Sequence, residues 1–142
     1  VIPVKRYDIH GRRIFEQNNK FYFADHGLRN LLCGFNLRGS IEKVMENAIH
    51  HHLVTQGFKV TVGILRNGEV DFVAVRDERR LYVQAVYLLG SEETVAREFG
   101  NLQAIRDNYP KYVVSMDPVS GGLPEYPGII HVHLREFLMT DF

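Results

Sequence analysis

Three apolar runs in the middle of the chain constrain its fold more than any other stretch. Val60, Val62 and Ile64 alternate with Thr61 and Gly63, the period of a half-buried strand. Asn67-Gly68 follows, a strong hairpin signal, so residues 59–65 are predicted to pair antiparallel with 69–76. The charged turn from Asp77 to Arg80 then leads into a third strand over 81–87. Two of these runs hold a polar residue that a buried strand has little reason to carry. Asp71 stands between Val70 and Phe72, and Gln84 between Val83 and Ala85. Burying an unpaired amide costs roughly 2–7 kcal/mol and a charge more, so each residue needs a partner or lines a cleft.

On either side of these strands the pattern changes to that of helices. Ile41, Val44, Met45, Ala48, Ile49, His52 and Leu53 recur at three- and four-residue spacing, which predicts an amphipathic helix over 41–56, capped by Ser40 and ended by Gly57. At about 100° per residue Glu46 falls just beyond the border of that stripe, beside Leu53, where its carboxylate can look toward whatever the stripe packs on. Ser91 caps a second helix from Glu92 to about Asp107, with Val95, Phe99, Leu102 and Ile105 on one face. Residues 111–116 read as a buried strand, 117–128 as a turn-rich loop, 129–134 as a last strand and 135–139 as a terminal helical turn. From residue 41 the order is α-β-β-β-α-β-β, which implies an α/β fold, a mixed sheet with flanking helices.

Residues 1–39 read as a lead-in that packs on a main domain of residues 40–142. Extended pieces are expected over Val4–Ile9 and Lys20–Ala24, joined through a turn at His10–Arg13, followed by a short helix capped by Asp25 and stopped at Gly34. The lead-in holds seven Lys/Arg against three Asp/Glu, while the rest holds ten against fourteen, so a net charge of zero hides a positive arm. Zero net charge argues against a dedicated nucleic-acid binder; the arm leaves room for an acidic partner. One cysteine, Cys33, sits in an apolar stretch, reads as a small buried hydrophobe, and suits a reducing compartment such as the cytoplasm. No apolar run of about 18 residues is present to span a membrane. The start, Val1 to Arg6, reads as the beginning of a fragment of a longer protein.

Glu46, Asp71 and Gln84 converge in this scheme. An acidic pair with a further oxygen suits Mg²⁺, which takes one or two carboxylates and completes its octahedron with water and phosphate; such an ion polarises a phosphodiester and activates water. Other sets are weaker. His50, His51 and His52 fan out in three directions on a helix. His131 and His133 share one strand face, but no third ligand at readable spacing accompanies them. Ser115-Met116-Asp117 reads as a turn with an Asp cap, and Gly121-Gly122 as a flexible loop.

The element order, with Asp71 on the second strand and Gln84 about a dozen residues later, resembles the core of PD-(D/E)xK nucleases, of restriction-endonuclease-like architecture. That resemblance implies metal binding by Glu46, Asp71 and Gln84, and a charge-stabilising Lys two positions after Gln84. A narrower likeness covers nearly the whole chain: KFYFADHGLRN from Lys20, Met45-Glu46-Asn47, GEVDFV from Gly68, YVQAV from Tyr82, REFG from Arg97 and DNYPKY from Asp107, in that order. Together they resemble the C-terminal domain of unknown function of prokaryotic AAA-family, DEXX-box-like ATPases. This likeness implies a missing N-terminal ATPase part as partner, and ATP handled there, since no GxxxxGK[ST] occurs here.

The departure from the nuclease pattern is Val86, which stands where Lys is expected. Loss of a preorganised charge stabiliser typically costs around 10²–10³ in rate, and Lys111 and Arg97 are the nearby cations that could stand in. The expectation is an accessory, catalytically degenerate nuclease-like module that docks a protein or nucleic acid. The alternatives are a Mg²⁺-dependent DNA endonuclease and a structural or oligomerising module.

Overall fold

In a computed structural model, described over residues 1–34, 37–118 and 121–142, eight strands form one mixed sheet flanked by four helices. The strands are β1 (Ile2–Asp8), β2 (Arg13–Tyr22), β3 (Lys59–Leu65), β4 (Gly68–Arg76), β5 (Arg79–Ala85), β6 (Lys111–Ser115), β7 (Gly121–Gly122) and β8 (Ile129–His133). The helices are α1 (His26–Cys33), α2 (Leu37–Thr55), α3 (Glu92–Gln103) and α4 (Leu134–Leu138). The sheet order is β2-β1-β3-β4-β5-β6-β8-β7. Within it β3, β4 and β5 are the antiparallel meander expected from the sequence, and β6 joins β5 in parallel through the α3 crossover. Among the described residues no helix is long and apolar enough to cross a membrane.

The sheet separates two apolar layers. On one face Ile49 and Leu53 of α2 and Phe137 of α4 pack on Val62, Phe72, Ala74, Leu81, Val83 and Val114. On the other, Phe99 and Leu102 of α3, with Ile105, cover Val70, Val73, Tyr82, Val86, Val113 and Ile129. Burying one such side chain is worth about 1.5–3 kcal/mol, so these two layers, rather than any polar contact, fix where the helices sit.

Local signals place several ends correctly. Asp25 Oδ1 accepts from Leu28 N at the start of α1, Gly34 takes φ 72 beyond its end, and Ser91 accepts from Thr94 N before α3. Other ends differ. α2 begins at Leu37, so Ser40 lies within the helix, and the boundary drawn at 39/40 falls inside it. The Cys33 side chain lies outside the described residues. The first hairpin also departs from expectation. Leu65 pairs with Gly68, so the loop is Arg66–Asn67, and neither Asn67 nor Gly68 has positive φ. Gly68 leaves room for a side chain of α3 instead. A Cβ there would stand 2.5 Å from Asn101 Oδ1 of α3, whose Nδ2 donates to Glu69 O at 3.2 Å.

The first strands are built into the sheet. β1 pairs antiparallel with β2 and parallel with β3, through Arg6↔Val62, Tyr7↔Gly63 and Asp8↔Ile64. Beyond that short contact the other end of the ribbon lies over the meander on the α2 side, where Val4 and Tyr22 join the core around Phe72.

Candidate functional site

Asp71 owes its position to an irregularity. Thr61 pairs with Val73 but Gly63 with Val70, so between these pairs β4 holds one residue more than β3, a bulge around Asp71 and Phe72. Bulges re-aim side chains and are enriched beside functional sites. The β4–β5 ladder runs from Arg76↔Arg79 to Phe72↔Val83. Where it ends, side chains take over the backbone's bonds. Ala85 N donates to Asp71 Oδ2 at 2.9 Å, and Asp71 N donates to Gln84 Oε1 at 3.3 Å. Both polar residues are therefore buried and satisfied, each by the other's strand.

A cation absent from the sequence expectation completes the site. Lys20, near the end of β2, lays Nζ 2.8 Å from Glu46 Oε2, 3.1 Å from Asp71 Oδ1 and 3.7 Å from Glu69 Oε1. Tyr22 OH donates to the same Glu46 oxygen at 3.1 Å, and its ring stacks on His50 at 4.8 Å. Arg6 pairs with Glu69 at 2.6 Å on the outer side. Glu46 and Asp71 thus meet across one ammonium, whereas Gln84 joins only through the Asp71 backbone.

The electrostatics follow from this crowding. Burial, reinforced by the Glu46 charge, pushes the Asp71 carboxyl up to about 7 against the opposing pull of Lys20 and the Ala85 N–H. Burial acts to lower the Lys20 ammonium, but Asp71 and Glu46 outweigh it and hold Lys20 above its ordinary value. The Tyr22 hydroxyl is raised by burial and then by Glu46 and Asp71, so it serves as a neutral donor. His50 is pushed down to about 4 by burial and by His51, and it packs as an uncharged ring.

A divalent ion does not fit this arrangement as it stands. Both Asp71 oxygens are engaged, one Glu46 oxygen serves Lys20 and Tyr22, and the Gln84 carbonyl serves a backbone amide. Among the described residues no group of three or more His, Cys, Asp or Glu is arranged to hold a metal ion.

The remaining candidates have other partners. Val86 is buried beneath α3, as a valine would be. Lys111 is tied to Asp107 at 3.2 Å and Arg97 to Glu98 at 2.7 Å, so neither enters the centre. Of the helical histidines, His51 contacts Ala24 O and His52 contacts Thr140 O, while His50 faces Tyr22. His131 Nε2 lies 2.7 Å from Ser115 Oγ, and His133 Nδ1 accepts from Arg135 N to cap α4. Ser115 Oγ also donates to Asp117 Oδ2 at 2.9 Å. Serine therefore stands between histidine and aspartate, fully buried, instead of at the end of a nucleophilic relay.

Sequence reasoning reached Glu46, Asp71 and Gln84 because each is polar on or beside an apolar face. It missed Lys20, Tyr22 and Glu69. Lys20 and Tyr22 were visible only as part of an aromatic-rich strand, and Glu69 only as a neighbour of Asp71.

No family model matches the chain, and no solved structure matches it. Over 111 residues, 78% of its length, the chain is 34% identical to an uncharacterized protein of Haemophilus influenzae (strain ATCC 51907 / DSM 11121 / KW20 / Rd). It spans 27% of the length of that relative.

Proposed function

We propose that this chain is a nuclease-like module of restriction-endonuclease-like architecture that docks a partner and does not cut. In this reading it is the accessory C-terminal domain of an AAA-type ATPase, with ATP handled by the N-terminal part. One observation carries the reading. The Lys20 ammonium stands between Glu46 and Asp71, at 2.8 and 3.1 Å, in the space a bridging divalent ion would need. An ammonium stabilises the carboxylates but offers no open coordination position for water or phosphate. The test is a calorimetric titration with Mg²⁺ and Mn²⁺, together with a supercoiled-plasmid assay. The expected result is no saturable binding below millimolar metal and no nicked plasmid. Nicking that Asp71→Ala abolishes overturns it.

A second reading keeps the same lysine but requires it to yield the space between Glu46 and Asp71 to the ion. Lys20 supplies the cation that Val86 does not, so a Mg²⁺-dependent endonuclease would have its charge stabiliser delivered from β2. This reading requires Mn²⁺-dependent nicking lost in both Asp71→Ala and Lys20→Met.

A further inference from the structure

The acidic centre lies on the α2 side of the sheet, where Glu46 projects from α2. On the α3 side a second cleft carries only positive and neutral groups. It is an open depression of about 680 Å³, lined by His10 after β1, Arg66 of the β3–β4 loop, Gly100, Gln103 and Ala104 of the α3 end, and Arg106 beyond it. Arg66 and Arg106 are exposed, and neither side chain has a hydrogen bond or ion pair among the described residues. Arg12, two residues from His10, is likewise exposed and unpaired. The nearest acids in the chain are engaged elsewhere. Asp8 accepts from His10 N and Gly11 N and pairs with Arg13, while Asp107 accepts from Tyr82 OH and Lys111.

We infer that this cleft binds backbone phosphates of a nucleic acid. A protein of zero net charge has no general excess of cations to scatter, so a cleft whose lining holds two unpaired guanidinium groups and no carboxylate is a local concentration of positive potential. The α3 C-terminus opposes an anion with roughly half a charge, which two full charges outweigh. Guanidinium forks suit phosphate oxygens, and the Gln103 amide adds a neutral donor of the kind that contacts phosphate and sugar. A protein partner would call for aromatic or aliphatic anchors at the centre of the interface; the lining here offers only Ala104 and Gly100. Asn101 ties the start of β4 to α3 through Glu69 O, which holds the strand end that carries the Arg66 loop beside the helix.

The inference names the partner class for the docking reading and rests on that reading only in treating the domain as a docking module. Its test is the fluorescence anisotropy of a labelled 20-bp duplex, followed from 50 to 200 mM salt without divalent metal. Wild type is expected to bind, and Arg66→Gln/Arg106→Gln to bind about tenfold or more weakly, with a log–log salt slope smaller by about 2. Gly100→Glu places a carboxylate in open space within the cleft, since a Cβ there meets nothing within 4 Å. It also replaces glycine by a better helix former, and it is expected to abolish binding while circular dichroism stays unchanged. Arg79→Gln, at the β4–β5 turn, is expected to change affinity less than twofold. Absent duplex binding, an equal loss in Arg79→Gln, or stronger binding of polyaspartate than of duplex overturns the inference. Silent metal titrations with no duplex binding leave the docking reading standing and this inference refuted; metal-dependent nicking with an Arg66/Arg106-dependent affinity does the reverse.

Discussion

Two buried polar clusters stand at strand ends in this molecule, and they contain similar chemistry. One joins Lys20, Glu46 and Asp71 with Tyr22 and Gln84; the other joins Ser115, Asp117 and His131. Either could be taken for catalytic equipment by residue type. Their difference lies in charge. In the serine cluster each bond pairs a donor with an acceptor: Ser115 Oγ donates to Asp117, Leu89 N donates to the same carboxylate, and His131 meets the serine oxygen. In the lysine cluster three carboxylates share one ammonium, with Arg6 assisting at the edge, and one carboxyl is driven toward its neutral form. A satisfied network is inert; a frustrated one responds to pH, to substitution and to any incoming cation.

The sharpest way to break the comparison is Lys20→Met. It strands Glu46 and Asp71 without their counterion, and breaking a buried pair from one side costs about 3–5 kcal/mol. Urea unfolding at pH 7.5 should show that loss, and the combination Lys20→Met/Asp71→Asn should recover much of it. Ser115→Ala should cost less, about 1–3 kcal/mol, by leaving His131 and Asp117 each short of a partner. Tyr22→Phe removes one hydrogen bond to Glu46 and keeps the stacked ring, so a loss of about 1 kcal/mol is expected in the same assay.

Acid titration of stability sharpens the contrast with two opposed slopes. Asp71, raised in the folded state to about 7 from an ordinary 3.8, favours the fold fully below about 4 and loses that contribution as pH rises through about 7. His50, lowered to about 4 from 6.5, behaves in reverse: its contribution is present above about 6.5 and is lost as pH falls through about 4. Between these limits the two slopes oppose each other, so the wild-type profile is expected to be shallower than that of either variant. Asp71→Asn should leave a protein that loses stability on acidification, and His50→Phe one that gains it. Identical profiles for both variants would refute the assignment. The smallest effect belongs to Arg6→Gln, whose half-exposed pair with Glu69 is worth under about 1 kcal/mol.

What the sequence disclosed was local. Alternation gave β3 to β5, and single residues such as Asp25 and Ser91 marked helix starts, because these signals act within a few positions. Asp71 and Gln84 betrayed themselves by polarity in apolar runs. The Lys20–Asp71 contact joins residues 51 apart in the chain, and no periodicity encodes it. Even Gly68, correctly placed at a hairpin, was there for another reason, the approach of Asn101. The parallel pairing of β1 with β3 was equally hidden, since it depends on a ribbon returning to a strand more than fifty residues later.

That parallel pairing differs from the meander in how much chain it has to close. The β3–β4–β5 meander closes through two-residue loops, whereas β1 must cross a long intervening stretch before its first bond to β3. Contacts of high sequence separation form late because loop entropy is lost before they contribute. The meander thus closes locally, while the ribbon has to bring Lys20 to Asp71 across 51 residues. The contact works as an electrostatic latch: the amino-terminal ribbon is held down by the same ammonium that quiets the acidic centre, and lifting the ribbon would uncover both carboxylates at once.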